Sequence, residues 1–177
     1  MRTHNIEIRG VKRQLPIVSV GEVSVALLNL LGDTELTEAA AEMLAQRLPH
    51  DIDTLVTPEV KAVPLAHAIS VRTGVPYRVV RKTVKPYMVN PVRNTVTTIT
   101  TGGSQDLVID GADLPSLQGK RVMIIDDVVS TGATLDAVRD LLDEIDAIYS
   151  GMLVVFTEGT ERLDVISLGH LPLYPNE

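Results

Sequence analysis

What this chain can fold into is limited most by the stretch from Val122 to Leu135. Its first four residues, Val-Met-Ile-Ile125, are apolar without alternation, as in a strand buried on both faces of a parallel sheet. Two carboxylates follow at once, Asp126 and Asp127. Then come small and hydroxylated residues from Ser130 to Thr134, and after them Leu135, Val138, Leu141, Leu142 and Ile145 at helical spacing. The order is strand, acidic tip, short loop, helix. Open α/β sheets take their ligands beyond the carboxyl ends of their strands, and Asp126 and Asp127 fall there.

The loop that follows is built for an anion. Residues 130–134 offer backbone N–H groups, small side chains and hydroxyls at the start of a helix whose dipole favours negative charge. A phosphate fits there without a clash. Two adjacent carboxylates do not serve the same phosphate; they suit vicinal hydroxyls, a metal-bound ligand or a developing positive charge. Capping the next helix would need one carboxylate, not two. The combination specifies a sugar phosphate.

The rest of the chain alternates as a doubly wound sheet requires. Asp33 or Thr34 is set to cap a helix running to Leu48, with Leu36, Ala39, Ala40, Met43, Leu44 and Leu48 on its apolar face. Thr54-Leu-Val56 reads as a short buried strand, and residues 57–62 as the loop at its carboxyl end. A helix carrying Val63, Leu65, Ala66 and Ile69 follows, with Pro64 in its first turn, and then a strand over Arg78-Val-Val80. The pattern breaks after Lys85. Thr95 to Thr101, Gly102-Gly103 and Leu107 to Ile109 predict a β-hairpin with a glycine turn. A long polar excursion of this kind suits a mobile lid over residues 84–106. Met152 to Phe156 supplies another core strand, and the tail from Leu163 to Leu173 an extra strand and cover.

These elements predict a single α/β domain: a parallel doubly wound sheet of about five strands with flanking helices. Its core spans residues 33–156, and a small hood comes from residues 1–31 and 157–177. With 177 residues, 45% of them apolar, one core is ample. No cysteine is present, so a disulfide scaffold and a thiolate metal site are excluded. The opening Met-Arg-Thr-His-Asn-Ile-Glu has no secretion-signal core and no apolar run approaches membrane-spanning length, so a cytoplasmic protein without a membrane partner is expected. The four histidines, His4, His50, His67 and His170, show no metal-ligand spacing. A net charge of -7 argues against nucleic acid as a partner. Between Val60 and Gln105, however, there is no acid, while Lys61, Arg72, Arg78, Arg81, Lys82, Lys85 and Arg93 all lie there. Such a stretch suits a polyanion.

The run Ile-Ile-Asp-Asp-Val-Val-Ser-Thr-Gly-Ala-Thr, residues 124–134, resembles the signature of type I phosphoribosyltransferases, enzymes that use 5-phosphoribosyl 1-pyrophosphate (PRPP). The resemblance implies that Asp126 and Asp127 are the catalytic carboxylates, holding the ribose hydroxyls. It gives the 5-phosphate to Val129, Ser130, Thr131, Gly132, Ala133 and Thr134. Glu59-Val-Lys-Ala-Val63 is similar to the Glu-x-Arg-Gly-Phe segment of adenine phosphoribosyltransferases, with Lys61 for Arg and Ala62 for Gly. Arg81-Lys-Thr-Val-Lys85 resembles their Arg-Lys-x-x-Lys segment. Pyrophosphate is thereby assigned to Val60, Lys61, Ala62, Arg81, Lys82 and Lys85. Mg²⁺ is the implied cofactor, carried by PRPP and reached by Asp126 and Asp127 through water. The family's lid commonly carries Glu-Tyr-Gly, where this chain has Thr100-Thr-Gly-Gly103, so a lid carboxylate is missing.

The expected activity is purine salvage: a purine base and PRPP give the nucleoside 5′-monophosphate and pyrophosphate, in a homodimer. Phe156, Glu158 and Val18 are the candidate base-binding residues. Enzymes of this family that select 6-oxopurines commonly use a lysine after the signature, and no lysine follows Lys120. Adenine, whose amino group needs an acceptor such as Glu158, is therefore the expected base. The alternatives are a 6-oxopurine enzyme acting on hypoxanthine, guanine or xanthine, and a non-catalytic regulator that senses PRPP.

Overall fold

The structure, a computed structural model, describes residues 2–97, 104–160, 162 and 164–176. The chain opens on an antiparallel meander of β1 (Thr3–Ile8), β2 (Val11–Val20) and β3 (Val23–Ala26). Arg9 and Gly10, both with positive φ (50° and 81°), make the two-residue turn between β1 and β2. Left-handed backbone at both turn residues matches the twist of the strands it joins. Helix α1 (Thr34–Ala45) follows and lays Leu36, Ala39, Ala40 and Leu44 on the core. It stops short of Leu48 because Leu48 precedes Pro49, which disfavours helical backbone there. Leu48 is nevertheless buried, in the turn beyond.

The central sheet is parallel and has the order β10-β9-β8-β4-β5. Its strands are β4 (Thr54–Pro58), β5 (Tyr77–Val80), β8 (Arg121–Val129), β9 (Ile148–Glu158) and β10 (Val165–Leu171). Between them run α2 (Val63–Thr73), the hairpin β6 (Val92–Thr97) and β7 (Ser104–Ile109), a 3-10 helix (Gly111–Ser116) and α3 (Ala133–Glu144). α2 has Pro64 in its first turn and ends on Gly74 in the left-handed region, φ 74°. A side chain there would strain the backbone.

Burial on both faces explains the unalternating strands. Leu55, Met123, Ile125, Leu153 and Val155 face α1, α2 and the amino-terminal meander. Val56, Val122, Ile124, Met152 and Val154 face α3 and the hairpin. From β4 the chain winds to β5 on one side, and then returns to β8 on the other. The reversal leaves a crevice above the carboxyl ends of β4 and β8, where such sheets bind ligands.

One segment departs from the sequence expectation. Residues 165–171, expected with the hood, are the edge strand β10 of the parallel sheet; only β11 (Tyr174–Pro175) joins the meander, beside β3. β10 pairs with β9 from Val165 opposite Met152 to Leu171 opposite Glu158, so residues 159–164 alone return the chain along the length of β9. The hairpin root, just beyond the expected lid over residues 84–106, is packed: Leu107, Val108 and Ile109 are buried, and Val108 exchanges two backbone hydrogen bonds of 2.8 Å with Arg81. Thr100-Thr-Gly-Gly103, where the family's lid acid would stand, lies outside the described residues.

Charged contacts tie the meander to α1: Arg9 pairs with Glu42 at 2.6 Å and Arg13 with Glu35 at 2.8 Å. Asp33 caps α1 by accepting the Leu36 N–H at 3.1 Å, and also accepts from Arg13 of β2 at 2.7 and 2.9 Å. Those arginine hydrogen bonds hold the Asp33 carboxyl below its ordinary range. Asp33→Ala should therefore cost about 1–2 kcal/mol in urea unfolding. Asp33→Asn, which keeps the cap and loses the charge, should cost less than half as much. Equal losses in the two variants would show that the cap contributes nothing.

Candidate active site

A cavity of about 340 Å³ occupies the crevice between β4 and β8. Its floor is Asp126, Asp127 and Val128 at the end of β8; Ala133, Thr134 and Ala137 of α3 close one side. Pro58, Glu59, Val60 and Lys61 from the end of β4 close the other, with Lys82 and Leu107 above. Each of these chain segments is a strand end or helix start, so the geometry is set by the sheet.

The acid pair is the electrostatic centre. Burial, and then the neighbouring Asp127 carboxylate, raise the Asp126 pKa to about 8, while Lys61 works the other way. Asp126 Oδ1 accepts the Asp127 N–H and Asp127 Oδ1 accepts the Val128 N–H, both at 2.9 Å. Backbone donors thus hold both side chains without neutralising them. Neither carboxyl makes an ion pair among the described residues, and the pair favours a ligand that brings hydroxyl donors or a cation.

Beyond the pair, Ser130 to Gly132 turn the chain into α3. Gly132 is the residue before the helix, at φ 85°, and no side chain caps its amino end. The Ala133 N–H has only a long 3.4 Å contact with Thr131 Oγ1. Of the expected phosphate loop, Ala133 and Thr134 line the acid pair's crevice and residues 129–132 do not; the two that do stand at the positive end of a twelve-residue helix, where an anion is stabilised.

The basic stretch divides by residue type. Arg72 pairs with Glu38, Arg78 with Asp113, Arg81 with Glu59 and Arg93 with Asp106. The acids that the stretch lacks are thus supplied largely from outside it. Lys61 and Lys82 make no ion pair among the described residues, and both line the cavity. Arg81, expected at the pyrophosphate, is instead bound to Glu59 with Nε at 2.6 Å, while the other Glu59 oxygen accepts the Lys82 N–H at 2.7 Å. Glu59, which sequence reasoning quoted only as part of a motif, therefore fastens the β4 loop to the end of β5; the Glu59–Val60 peptide is cis. Lys85 donates to Thr83 Oγ1 at 2.7 Å and lies off the cavity wall. Ala62, fully buried, begins α2.

None of the expected base residues lines that cavity, although Phe156 pairs with Val128 of its floor. Phe156 is buried with its ring against Gly169 of β10, where an added Cβ would come within 3.1 Å of it. Val18 is half-buried on β2, paired with Val25. Glu158 is only 7% exposed at the end of β9 and has no hydrogen bond or ion pair among the described residues.

No cluster of three or more metal-ligating side chains occurs among the described residues. Two carboxylates with no third ligand suit a hard cation that completes its shell with water and phosphate oxygens, so the residues fit Mg²⁺.

Comparison with known proteins agrees with this geometry. The phosphoribosyl transferase domain model matches residues 29–167. A hypoxanthine/guanine phosphoribosyltransferase of Methanothermobacter thermautotrophicus is 33% identical over 152 residues, covering 83% of this chain and 75% of that protein. One of Methanosarcina barkeri is 34% identical over 142 residues, covering 79% and 70%. Among solved structures, adenine phosphoribosyltransferase from Thermoanaerobacter pseudethanolicus superposes with a TM-score of 0.65 at 22% identity, over 96% of this chain and 95% of that one. The Giardia lamblia enzyme complexed with 9-deazaadenine gives 0.65 at 16%, over 95% and 93%. The chain belongs to the phosphoribosyltransferase family.

The buried acid pair has a pH signature. Folding raises the Asp126 pKa from 3.8 to about 8, so its contribution to stability is fully present below pH 3.8 and is lost as pH rises towards 8. Asp126→Asn cannot ionise and escapes that loss. Free of ligand, the variant should melt roughly 5 °C above the wild type at pH 8, with the gap closing towards pH 4. A pH-independent gap in calorimetric scans would show that Asp126 ionises as freely in the fold as in water.

Proposed function

We propose that the protein is a purine phosphoribosyltransferase, transferring the 5-phosphoribosyl group of PRPP to a purine nitrogen with release of pyrophosphate. One observation carries this: a buried carboxylate pair set between the start of α3 and two lysines that make no ion pair among the described residues. A sugar that carries phosphate at one end and pyrophosphate at the other presents that same order of charges.

Each residue then has a task. The N–H groups of 130–134 hold the 5-phosphate. Asp126 and Asp127 accept from the ribose 2- and 3-hydroxyls and stabilise the positive charge that spreads over the ring carbon and oxygen as the bond to pyrophosphate breaks. Lys61 and Lys82 take up the negative charge that the leaving pyrophosphate gains. The base nitrogen closes the new bond to the ring carbon and gives up its proton. Mg²⁺, when bound with PRPP, supplies further neutralisation of the pyrophosphate.

For the base, a 6-oxopurine is the favoured substrate. The relatives that share about a third of this sequence are named for hypoxanthine and guanine, whereas the likeness to adenine enzymes, at 22% identity and below, is one of fold. Adenine is the second candidate, favoured by the absence of any lysine after Lys120. Glu158 does not line the cavity, but its carboxylate, without a hydrogen bond or ion pair among the described residues, suits either guanine, through N1–H and the amino group, or adenine, through the amino group.

Pyrophosphate release from PRPP with adenine, hypoxanthine, guanine and xanthine tests these assignments directly. Hypoxanthine or guanine should exceed adenine at least about tenfold in kcat/KM. The reverse preference would restore adenine, and release with none of the bases would leave only a PRPP-binding protein. Asp127→Asn should lower kcat about 100-fold, equivalent to about 3 kcal/mol of lost charge stabilisation. Lys82→Ala should instead raise the KM for PRPP about tenfold, with a smaller effect on kcat. Full activity in Asp127→Asn would remove the acid pair from the mechanism.

A further inference from the structure

The anion loop carries no cation of its own. Residues 129–134 are Val, Ser, Thr, Gly, Ala and Thr, and the first turn of α3 adds an acid, Asp136. With Asp126 and Asp127 also close by in sequence, a phosphate dianion there would be held by N–H groups and hydroxyls among several carboxylates. A positive charge does reach the loop, from a distant part of the chain.

Arg162 lies in the six-residue return from β9 to β10. Its guanidinium is fixed on one side: Nε and Nη2 donate to the two Asp164 oxygens at 3.0 and 2.7 Å. Nη1 has no hydrogen bond or ion pair among the described residues, and it rests against Gly132. A Cβ at Gly132 would overlap Nη1 and lie 3.0 Å from Cζ. Glycine is therefore required at 132 for two independent reasons, its φ of 85° and the guanidinium above it. The Arg162 side chain is 21% exposed, so this packing is largely shielded from solvent.

We propose that Arg162 is a positioning residue for the sugar-phosphate site: aimed by Asp164, it packs on Gly132, holds the left-handed turn that starts α3, and sets a cation beside the loop's free N–H groups. This rests on the assignment of residues 130–134 to the 5-phosphate under Proposed function. Arg162 acts through the loop, and so its effect belongs to ligands that carry a 5-phosphate. Pyrophosphate, held at Lys61 and Lys82 on the far wall of the cavity, is outside its reach.

Calorimetric binding of ribose 5-phosphate and of magnesium pyrophosphate, each measured alone, tests this on the full chain. Arg162→Gln should weaken ribose 5-phosphate about tenfold and leave pyrophosphate unchanged. In steady state it should raise the KM for PRPP with little change in kcat, and Arg162→Lys should recover part of the loss. If Arg162→Gln does not fold, Asp164→Asn carries the same comparison, since it loosens the guanidinium without removing it; a loss of about threefold confined to ribose 5-phosphate is then expected. Unchanged ribose 5-phosphate affinity would overturn the proposal, as would equal weakening of both ligands, which marks a purely structural residue. A wild-type protein that binds neither ligand would instead sink the functional assignment on which it rests.

Discussion

Two ionisable carboxyls stand side by side at the buried end of a strand, and most of the architecture around the cavity answers the cost of putting them there. Removing a carboxylate from water is costly, and a second one beside it makes full ionisation costlier still. The raised Asp126 pKa is the visible result. A fold in which this strand served only as core would have no reason to retain the pair. The parallel sheet supplies the burial, since β8 is flanked by β4 and β9 and covered on both faces. The reversal of winding between β4 and β8 then opens the crevice through which a ligand can relieve the charge.

Positive charge is distributed with the same economy. Arginine suits fixed, forked pairing and lysine a mobile point charge. In the acid-free stretch the arginines Arg72, Arg78, Arg81 and Arg93 are tied to acids on other elements, and two lysines face the cavity. Arg81 illustrates the division. Its pairing with Glu59 fastens the loop after β4 to the end of β5, and the Lys82 N–H bonded to the same carboxylate fixes the backbone from which the Lys82 side chain projects. One neutralised pair thus holds an unneutralised cation in place.

What could be read from the sequence follows from how local each signal is. The unalternating run from Val122 to Ile125, the acids after it and the small residues to Thr134 are contiguous, and strand, loop and helix form there as expected. The caps were legible for the same reason: Asp33 accepts from a backbone N–H three residues on. Ion-pair partners were not legible, because Arg81 and Glu59 are 22 residues apart and nothing in either neighbourhood names the other. The basic stretch accordingly looked like a single anion surface when most of its arginines serve the fold. The tail was hard to place for a different reason. Val165 and Leu171 are buried at the ends of β10 while the residues between them are only partly covered, so no clear period marks the strand. A parallel connection as short as 159–164 is also far below the dozen residues usual for a crossover.

That short return has a structural consequence for the site. In a parallel sheet the loops at the carboxyl ends of neighbouring strands are neighbours in space however far apart they lie in sequence. β8 and β9 are adjacent, so the loop after β8, which begins α3, and the segment after β9 share one edge of the crevice. A longer crossover with its own helix would have carried the chain away over the sheet face. Only six residues, 159–164, join β9 to β10, and the Arg162 guanidinium lies against Gly132. The brevity of the connection is what brings a charge from the carboxyl-terminal sixteen residues to the amino end of α3, and it explains why the loop's anion-binding character shows in the sequence while the arginine's place beside it does not.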